Sequence, residues 1–292
     1  MGRRGTFRRL ALGLPTLLGL RQRGFFIPYR YADGLARARA QAQYPAVEAL
    51  FARRAPAFAE ALADLERCAA ALEAIGHDTP APAPRWHQDW FPRLDAALAY
   101  AMVRRHRPAR IVEVGSGHST RFIVRAVADG ALATRITAID PAPRATLAGL
   151  AVEWLRRRVP EVGPEPFATL APGDLLFVDS SHILMPGSDV DFLLNQALPI
   201  LPRGALVHLH DVFLPDDYPP DWQWRGYNEQ TALVLPLLCD DWEVLFASHY
   251  VVTRMAAALS GSVAARLPLL AGARESSLWL RRVAGATVSA AG

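Results

Sequence analysis

The chain has 292 residues, of which 51% are hydrophobic and 21% charged. That composition is globular, gives enough length for one sizeable core, and excludes a disordered or fibrous protein. All 32 basic residues are arginine and the formal net charge is only +4. The absence of lysine reads as coding bias, and the modest charge argues against a nucleic-acid partner. Two cysteines far apart in sequence, Cys68 and Cys239, exclude a disulfide framework or a cysteine zinc site and predict a reducing, cytoplasmic setting.

The N-terminus is basic through Arg9 and apolar from Leu10 to Leu20. Arg21 and Arg23 follow at once without a small-residue cleavage site, which argues against a signal peptide. The apolar run is too short to span a bilayer, so no transmembrane segment is expected. The reading is a helix resting on the domain or on a membrane surface. Residues 24–34 form an aromatic-rich connector. From Leu35 to Ile75 apolar residues such as Val47, Leu50, Phe51, Phe58 and Leu62 recur at helical steps, with Pro45 and Pro56 dividing the region. A proline-rich linker, 77–84, then closes an N-terminal helical extension over residues 1–84.

Residues 85–292 alternate strand and helix. A helix is expected over Leu94–Arg105, a strand over Ile111–Val114, a helix over His118–Val127 and a strand over Ile136–Asp140. A helix over Arg144–Arg157 and a short third strand near Pro166–Leu170 come next. Strands over Leu175–Asp179 and Ala205–His210 flank a helix over Phe192–Leu201. A helix over Glu229–Leu238 precedes strands over Trp242–Ala247 and Ser277–Val283. This alternation predicts an α/β, Rossmann-like, mostly parallel sheet with helices on both faces. Ligands of such sheets lie beyond the C-terminal ends of the strands.

The polar clusters fall at those ends. Arg-Ile-Val-Glu-Val-Gly-Ser-Gly-His-Ser-Thr, residues 110–120, is a strand, a glycine turn and a helix start. Gly115 permits a positive φ, and Gly117 permits close approach of a ligand to the main chain. A dinucleotide site would favour glycine at position 120, where this chain has Thr120, and Glu113 would oppose a pyrophosphate. A phosphate-free cofactor with a cationic amino-acid end, S-adenosylmethionine (SAM), suits Glu113 better. Asp140, at the end of the second strand, is placed to accept ribose hydroxyls. The expected cofactor wall is Glu113, Gly115, Ser116, Gly117, His118, Ser119, Asp140 and Asp179. An NAD-type oxidoreductase is the alternative, as is a non-catalytic or hydroxylation-related protein that keeps the fold.

Two further clusters carry the expected chemistry. Asp179-Ser180-Ser181-His182 follows the fourth parallel strand, and a carboxylate there is costly to bury unless paired or bound to a metal. His182, three residues on, suits general-base work near neutrality. His208-Leu209-His210-Asp211 ends the next strand. Strand periodicity puts His208 and His210 on one face and Asp211 on the other. Asp179, His210 and Asp211 would make an oxygen-and-nitrogen set for a divalent metal. Residues 212–224, rich in Pro and Trp, read as a loop over the strand ends. Asn228 is read either as the N-cap of the next helix or, with Glu229, as facing the site.

These segments resemble class I SAM-dependent methyltransferases over residues 85–285, in the branch with D-S-S-H and H-D-x-F-x-P segments. The resemblance implies a seven-stranded sheet whose last strands, Trp242–Ala247 and Ser277–Val283, form an antiparallel pair. It implies O-methylation of a small-molecule hydroxyl, with a magnesium-like ion held by an Asp after the fourth strand and an acidic pair after the fifth. In sugar-modifying relatives a His three residues after the first Asp is the base, the place of His182. His210 stands where an acidic or amide ligand is more usual, which shifts the preference towards a softer ion. The methyl acceptor is left open, and so is a homo-oligomer built on the helical N-terminus.

Overall fold

The computed structural model of the protein describes residues 3–34 and 43–284. Seven strands form one sheet: β1 (Arg110–Val114), β2 (Arg135–Ile139), β3 (Glu153–Leu155), β4 (Leu175–Val178), β5 (Leu206–Leu209), β6 (Trp242–Ala247) and β7 (Leu278–Arg282). Their spatial order is β3-β2-β1-β4-β5-β7-β6. The first five strands are mutually parallel. β7 inserts antiparallel between β5 and β6. Strands β4 and β5 are buried on both faces, as strands sandwiched between helix layers must be.

The register aligns one rim. Val114 pairs with Ile139 and Val178, and Val178 pairs with Leu209. The residues that follow these four are Gly115, Asp140, Asp179 and His210, so the register alone brings them side by side. Backbone bonds continue past the strand ends and hold them there. Gly115 N–H donates to Ile139 O at 3.1 Å, Asp179 N–H to Val114 O at 2.8 Å and His210 N–H to Val178 O at 2.9 Å.

Helix α1 spans Arg3–Leu17, α2 Pro45–Glu66, α3 Arg93–His106 and α4 His118–Asp129. Helix α5 begins at Asp189–Phe192 and runs on through a π-helical turn, Leu193–Ala197; α6 spans Glu229–Leu238. Helix α3 packs on α4, and α2 packs on β6. Val47, Phe51 and Phe58 of α2 are fully buried in the same core as the sheet. Pro56 lies inside α2 without ending it. Residues 35–42, the start of the expected helical region, lie outside the described residues. In α1, Phe7, Leu10, Leu14 and Leu17 each keep more than half their surface exposed, so that helix is not packed on the domain. Among the described residues no helix is long and apolar enough to cross a membrane.

Two expected elements are wrong. Arg144–Arg157 is not a helix: it turns at Gly149 with φ 83° and ends in β3, which pairs with β2 through Thr137, Ala138 and Ile139. Near Pro166–Leu170 there is a short helical turn, Glu165–Ala168, and no strand. The run of Ala and Leu before β3 mimics helical composition, but a left-handed glycine ends any helix it starts.

Candidate active site

A cavity of about 990 Å³ opens at the aligned rim. Gly115, Ser116, His118, Ser119 and Asp140 line one side, and Asp179, Ser180, His182, His210 and Asp211 line the other. Phe25 of the aromatic connector and Trp222 of the Pro/Trp loop also reach its wall.

The glycine turn is held tightly. Gly115 has φ 76°, and a Cβ there would lie 1.8 Å from Asp179 O, so only glycine lets β1 and β4 end side by side. Ser116 N–H donates to Asp140 Oδ2 at 2.7 Å, and Ala142 N–H donates to Oδ1 at 2.7 Å. Asp140 is thus fixed on the cavity wall with lone pairs left for hydroxyl donors. Glu113 is fully buried and does not itself line the cavity. Ser119 Oγ donates to its Oε1 at 2.7 Å, whereas Oε2 has no partner. Burial pushes the Glu113 carboxyl up to about 8, against hydrogen bonds from Ser119 and Thr120 that favour its charged form. His118 Nδ1 and Ser180 Oγ are further buried polar atoms without partners. Burial, then Arg121 and Arg85, lower His118 to about 4, leaving a neutral imidazole on the wall.

Opposite this wall, carboxylates and imidazoles alternate in a ring. His182 Nε2 is 3.4 Å from Asp179 Oδ1 and 3.4 Å from Asp211 Oδ2. His210 Nδ1 is 3.4 Å from Asp179 Oδ1 and 3.6 Å from Asp211 Oδ1. The outward nitrogen of each imidazole has its own carboxylate. Glu229 Oε2 lies 2.9 Å from His182 Nδ1, and Asp95 Oδ2 lies 3.2 Å from His210 Nε2. His182 and Asp211 both sit in the left-handed region, at φ 60° and 54°, a strain that persists only where surrounding contacts enforce it.

The electrostatics follow from this alternation. Burial alone would lower both histidines, but the surrounding carboxylates hold them well above the ordinary value: chiefly Asp211, Asp179 and Glu229 for His182, and Asp179, Asp211 and Asp95 for His210. Burial would raise Asp179, but the two imidazoliums hold it far below the usual carboxylate range. Oxygen and nitrogen donors, each imidazole backed by an outer carboxylate, are the kinds of group a divalent cation takes as ligands and supports. Asp179 and Asp211 each approach His210 Nδ1, but among the described residues the group whose ligand atoms all lie within reach of one ion is the exposed His77, Asp78 and His87.

Other expected residues separate here. His208 belongs to the core and not to the site: its ring stacks on Phe177 at 3.7 Å, and Nε2 lies 2.8 Å from Ser277 Oγ. Burial and His210 push its pKa down. Asn228 does not cap α6 with its side chain; it accepts from Leu184 N–H at 2.7 Å and fastens the 182–184 loop. Glu229 is the member of that pair that reaches the site. Asp95 was not foreseen. Its one sequence signal is an acid within the otherwise apolar start of α3, Leu94-Asp95-Ala96-Ala97-Leu98, where it is fully buried. Arg225, Tyr227 and Arg274 on the cavity wall were not foreseen either.

A seven-stranded sheet with an antiparallel seventh strand, a glycine turn after β1 and an acid after β2 is the arrangement that the resemblance to class I SAM-dependent methyltransferases implies. Residues 112–212, about a third of the chain, match the Methyltransf_24 family, a methyltransferase domain, from β1 through β5. Solved structures similar to the protein include the SAH-bound Podospora anserina methyltransferase PaMTH1 (SAH, S-adenosylhomocysteine), at 17% identity over 89% of this chain and 100% of that one, TM-score 0.42. Others are the SAM-bound Streptomyces achromogenes O-methyltransferase TomG (18% identity, 77% and 90% covered, TM-score 0.40) and the SAH-bound O-methyltransferase from Bacillus cereus (14%, 77% and 91%, TM-score 0.39). No curated protein sequence matches the chain.

Proposed function

We propose that the protein transfers the methyl group of SAM to a hydroxyl of a small molecule, with His182 as the proton acceptor. The observation that supports this reading most is that the alternating ring of Asp179, His182, Asp211 and His210 opens into the same cavity as the glycine turn. Ser116 to Ser119 would receive SAM, with Asp140 placed to accept its ribose hydroxyls. The ring then faces the methyl group from the acceptor side.

Glu229 fixes the proton of His182 on Nδ1, which leaves Nε2 as the basic atom directed at the acceptor. Asp179, His210 and Asp211 are the residues that would hold a divalent cation, which would supply Lewis acidity for the hydroxyl and offset the carboxylates that keep His182 protonated. Positioning by the cavity wall does the rest, since methyl transfer depends on holding acceptor oxygen and sulfonium in line.

The test has three arms. SAH, and not NAD, raises the melting temperature if the glycine turn is a SAM site. His182→Ala lowers turnover by about 10²–10⁴-fold with SAH affinity kept, as expected for loss of a general base. Chelation or Asp211→Asn abolishes turnover, and added divalent cation restores it only in the chelated wild type. Full activity after chelation removes the metal from this reading, and unchanged turnover in His182→Ala removes the base.

A further inference from the structure

Two of the four arginines on the cavity wall are paired with carboxylates, Arg158 with Glu161 and Arg274 with Asp221. Arg225 differs. It lines the cavity, and among the described residues no carboxylate lies within ion-pair distance of it. Instead its guanidinium lies 3.8 Å over the Trp222 ring, with Tyr227 at 5.3 Å and Trp224 at 5.7 Å. Its Nη1 donates to the Tyr227 hydroxyl at 3.1 Å, and its Nε is buried without a partner.

A guanidinium in this setting is pre-arranged. Aromatic faces attract the cation and displace water from its faces, while the in-plane N–H groups keep their full need for acceptors. The partner those groups match best is a planar or tetrahedral oxyanion, which can take two parallel hydrogen bonds. A second cation stands beside it. Arg274 lines the same wall, 5.9 Å from the Trp222 ring, and anchors the Arg225 loop through Asp221 at 2.9 Å.

The position ties this charge to the acceptor side. The Tyr227 ring lies 4.7 Å from the His182 ring and 5.3 Å from the Arg225 guanidinium, so a single aromatic ring separates the proposed base from the unpaired cation. Arg144, the other cavity arginine without a carboxylate, stacks on Trp90 at 4.5 Å and adjoins the glycine turn, on the cofactor side.

We propose that the methyl acceptor carries a carboxylate or phosphate group and that Arg225, in its aromatic box, binds that oxyanion while the hydroxyl lies at His182. The assignment of this anion as part of the acceptor rests on the methyltransferase reading above; the anion site itself does not.

Isothermal titration of chelated, SAH-loaded protein tests it with benzoate, phenyl phosphate and benzyl alcohol as probes. At least one of the two anions binds tighter than the neutral alcohol by about tenfold or more, and which one distinguishes a carboxylate from a phosphate site. Arg225→Gln weakens the preferred anion by about 10- to 100-fold and leaves benzyl alcohol and SAH unchanged. Arg225→Lys, which keeps the charge and loses the fork, recovers part of the affinity. Equal binding of alcohol and anions, no anion binding, or an anion preference that survives in folded, SAH-binding Arg225→Gln each overturns the proposal. Failure to bind SAH at all instead overturns the methyltransferase reading, while the probe titration still reports on the anion site.

Discussion

Replacing Gly115 by alanine tests the contact that joins the glycine turn to the end of β4. The new Cβ would lie 1.8 Å from Asp179 O and 2.7 Å from Asp179 C. Both atoms are backbone, held by the Asp179 N–H bond to Val114 O at 2.8 Å, so no side chain can swing aside. The left-handed conformation costs a non-glycine residue about 1–2 kcal/mol. Overpacking of a tight site adds about 1–3 kcal/mol. The sum, about 2–5 kcal/mol, is a large part of the stability of an ordinary domain. Gly173 is the control: its φ is 87° and nothing lies within 4 Å of its Cβ position. Gly173→Ala therefore reports the conformational cost alone. Urea unfolding of both variants should place Gly115→Ala below Gly173→Ala by about 1–3 kcal/mol. SAH affinity should fall at least about tenfold in Gly115→Ala only, because Ser116 can no longer keep its bond to Asp140. Equal unfolding midpoints for the two variants would refute the argument, since they would mean that the β1 and β4 ends are free to separate.

Three further outcomes are expected. Asp95→Asn should lower stability by about 1–3 kcal/mol in urea, because Asp95 accepts from the Ser276 and Ser277 N–H groups as well as facing His210; unchanged stability would show those bonds to be dispensable. Glu229→Gln should cut turnover by about 10–100-fold and shift the acid limb of the pH–rate profile, by releasing the outer support of His182; an unmoved profile would exclude Glu229 as its orienting group. Glu113, pushed up to about 8 from an ordinary 4.5, keeps a proton in the folded state that the unfolded chain releases between those values. Its contribution to stability therefore falls as pH rises through that window, by up to about 1.4 kcal/mol per pH unit. Urea midpoints of Glu113→Gln should show a correspondingly flatter decline from pH 5 to 8, and parallel curves would contradict the buried, protonated carboxyl.

Much of the site was legible because parallel sheets place chemistry at one rim. Reading the strand ends of β1, β2, β4 and β5 yielded Gly115, Asp140, Asp179 and His210, and their assembly needed only the register. Elements with strong patterning were also legible, α6 and β6 to the residue. Strand β3 was not: it has three residues at a sheet edge, none of them buried, and so carries no burial pattern. Asp95 escaped because its partners lie 115 to 182 residues away in sequence. Arg225 and Arg274 escaped for another reason. In a chain whose only long cation is arginine, composition cannot separate a solvated arginine from one held in an aromatic box, and only the structure shows the stacking and the buried Nε of Arg225.

Asp95 ties the two ends of the domain together at the site. One carboxylate holds His210 at the rim and also receives the Ser276 and Ser277 N–H groups that lead into β7. Glu275 beside them takes both arms of Arg93 and the Leu94 N–H at the start of α3. The segment leading into β7 therefore orients Asp95, and through it His210, although it lies at the opposite end of the domain from Asp95.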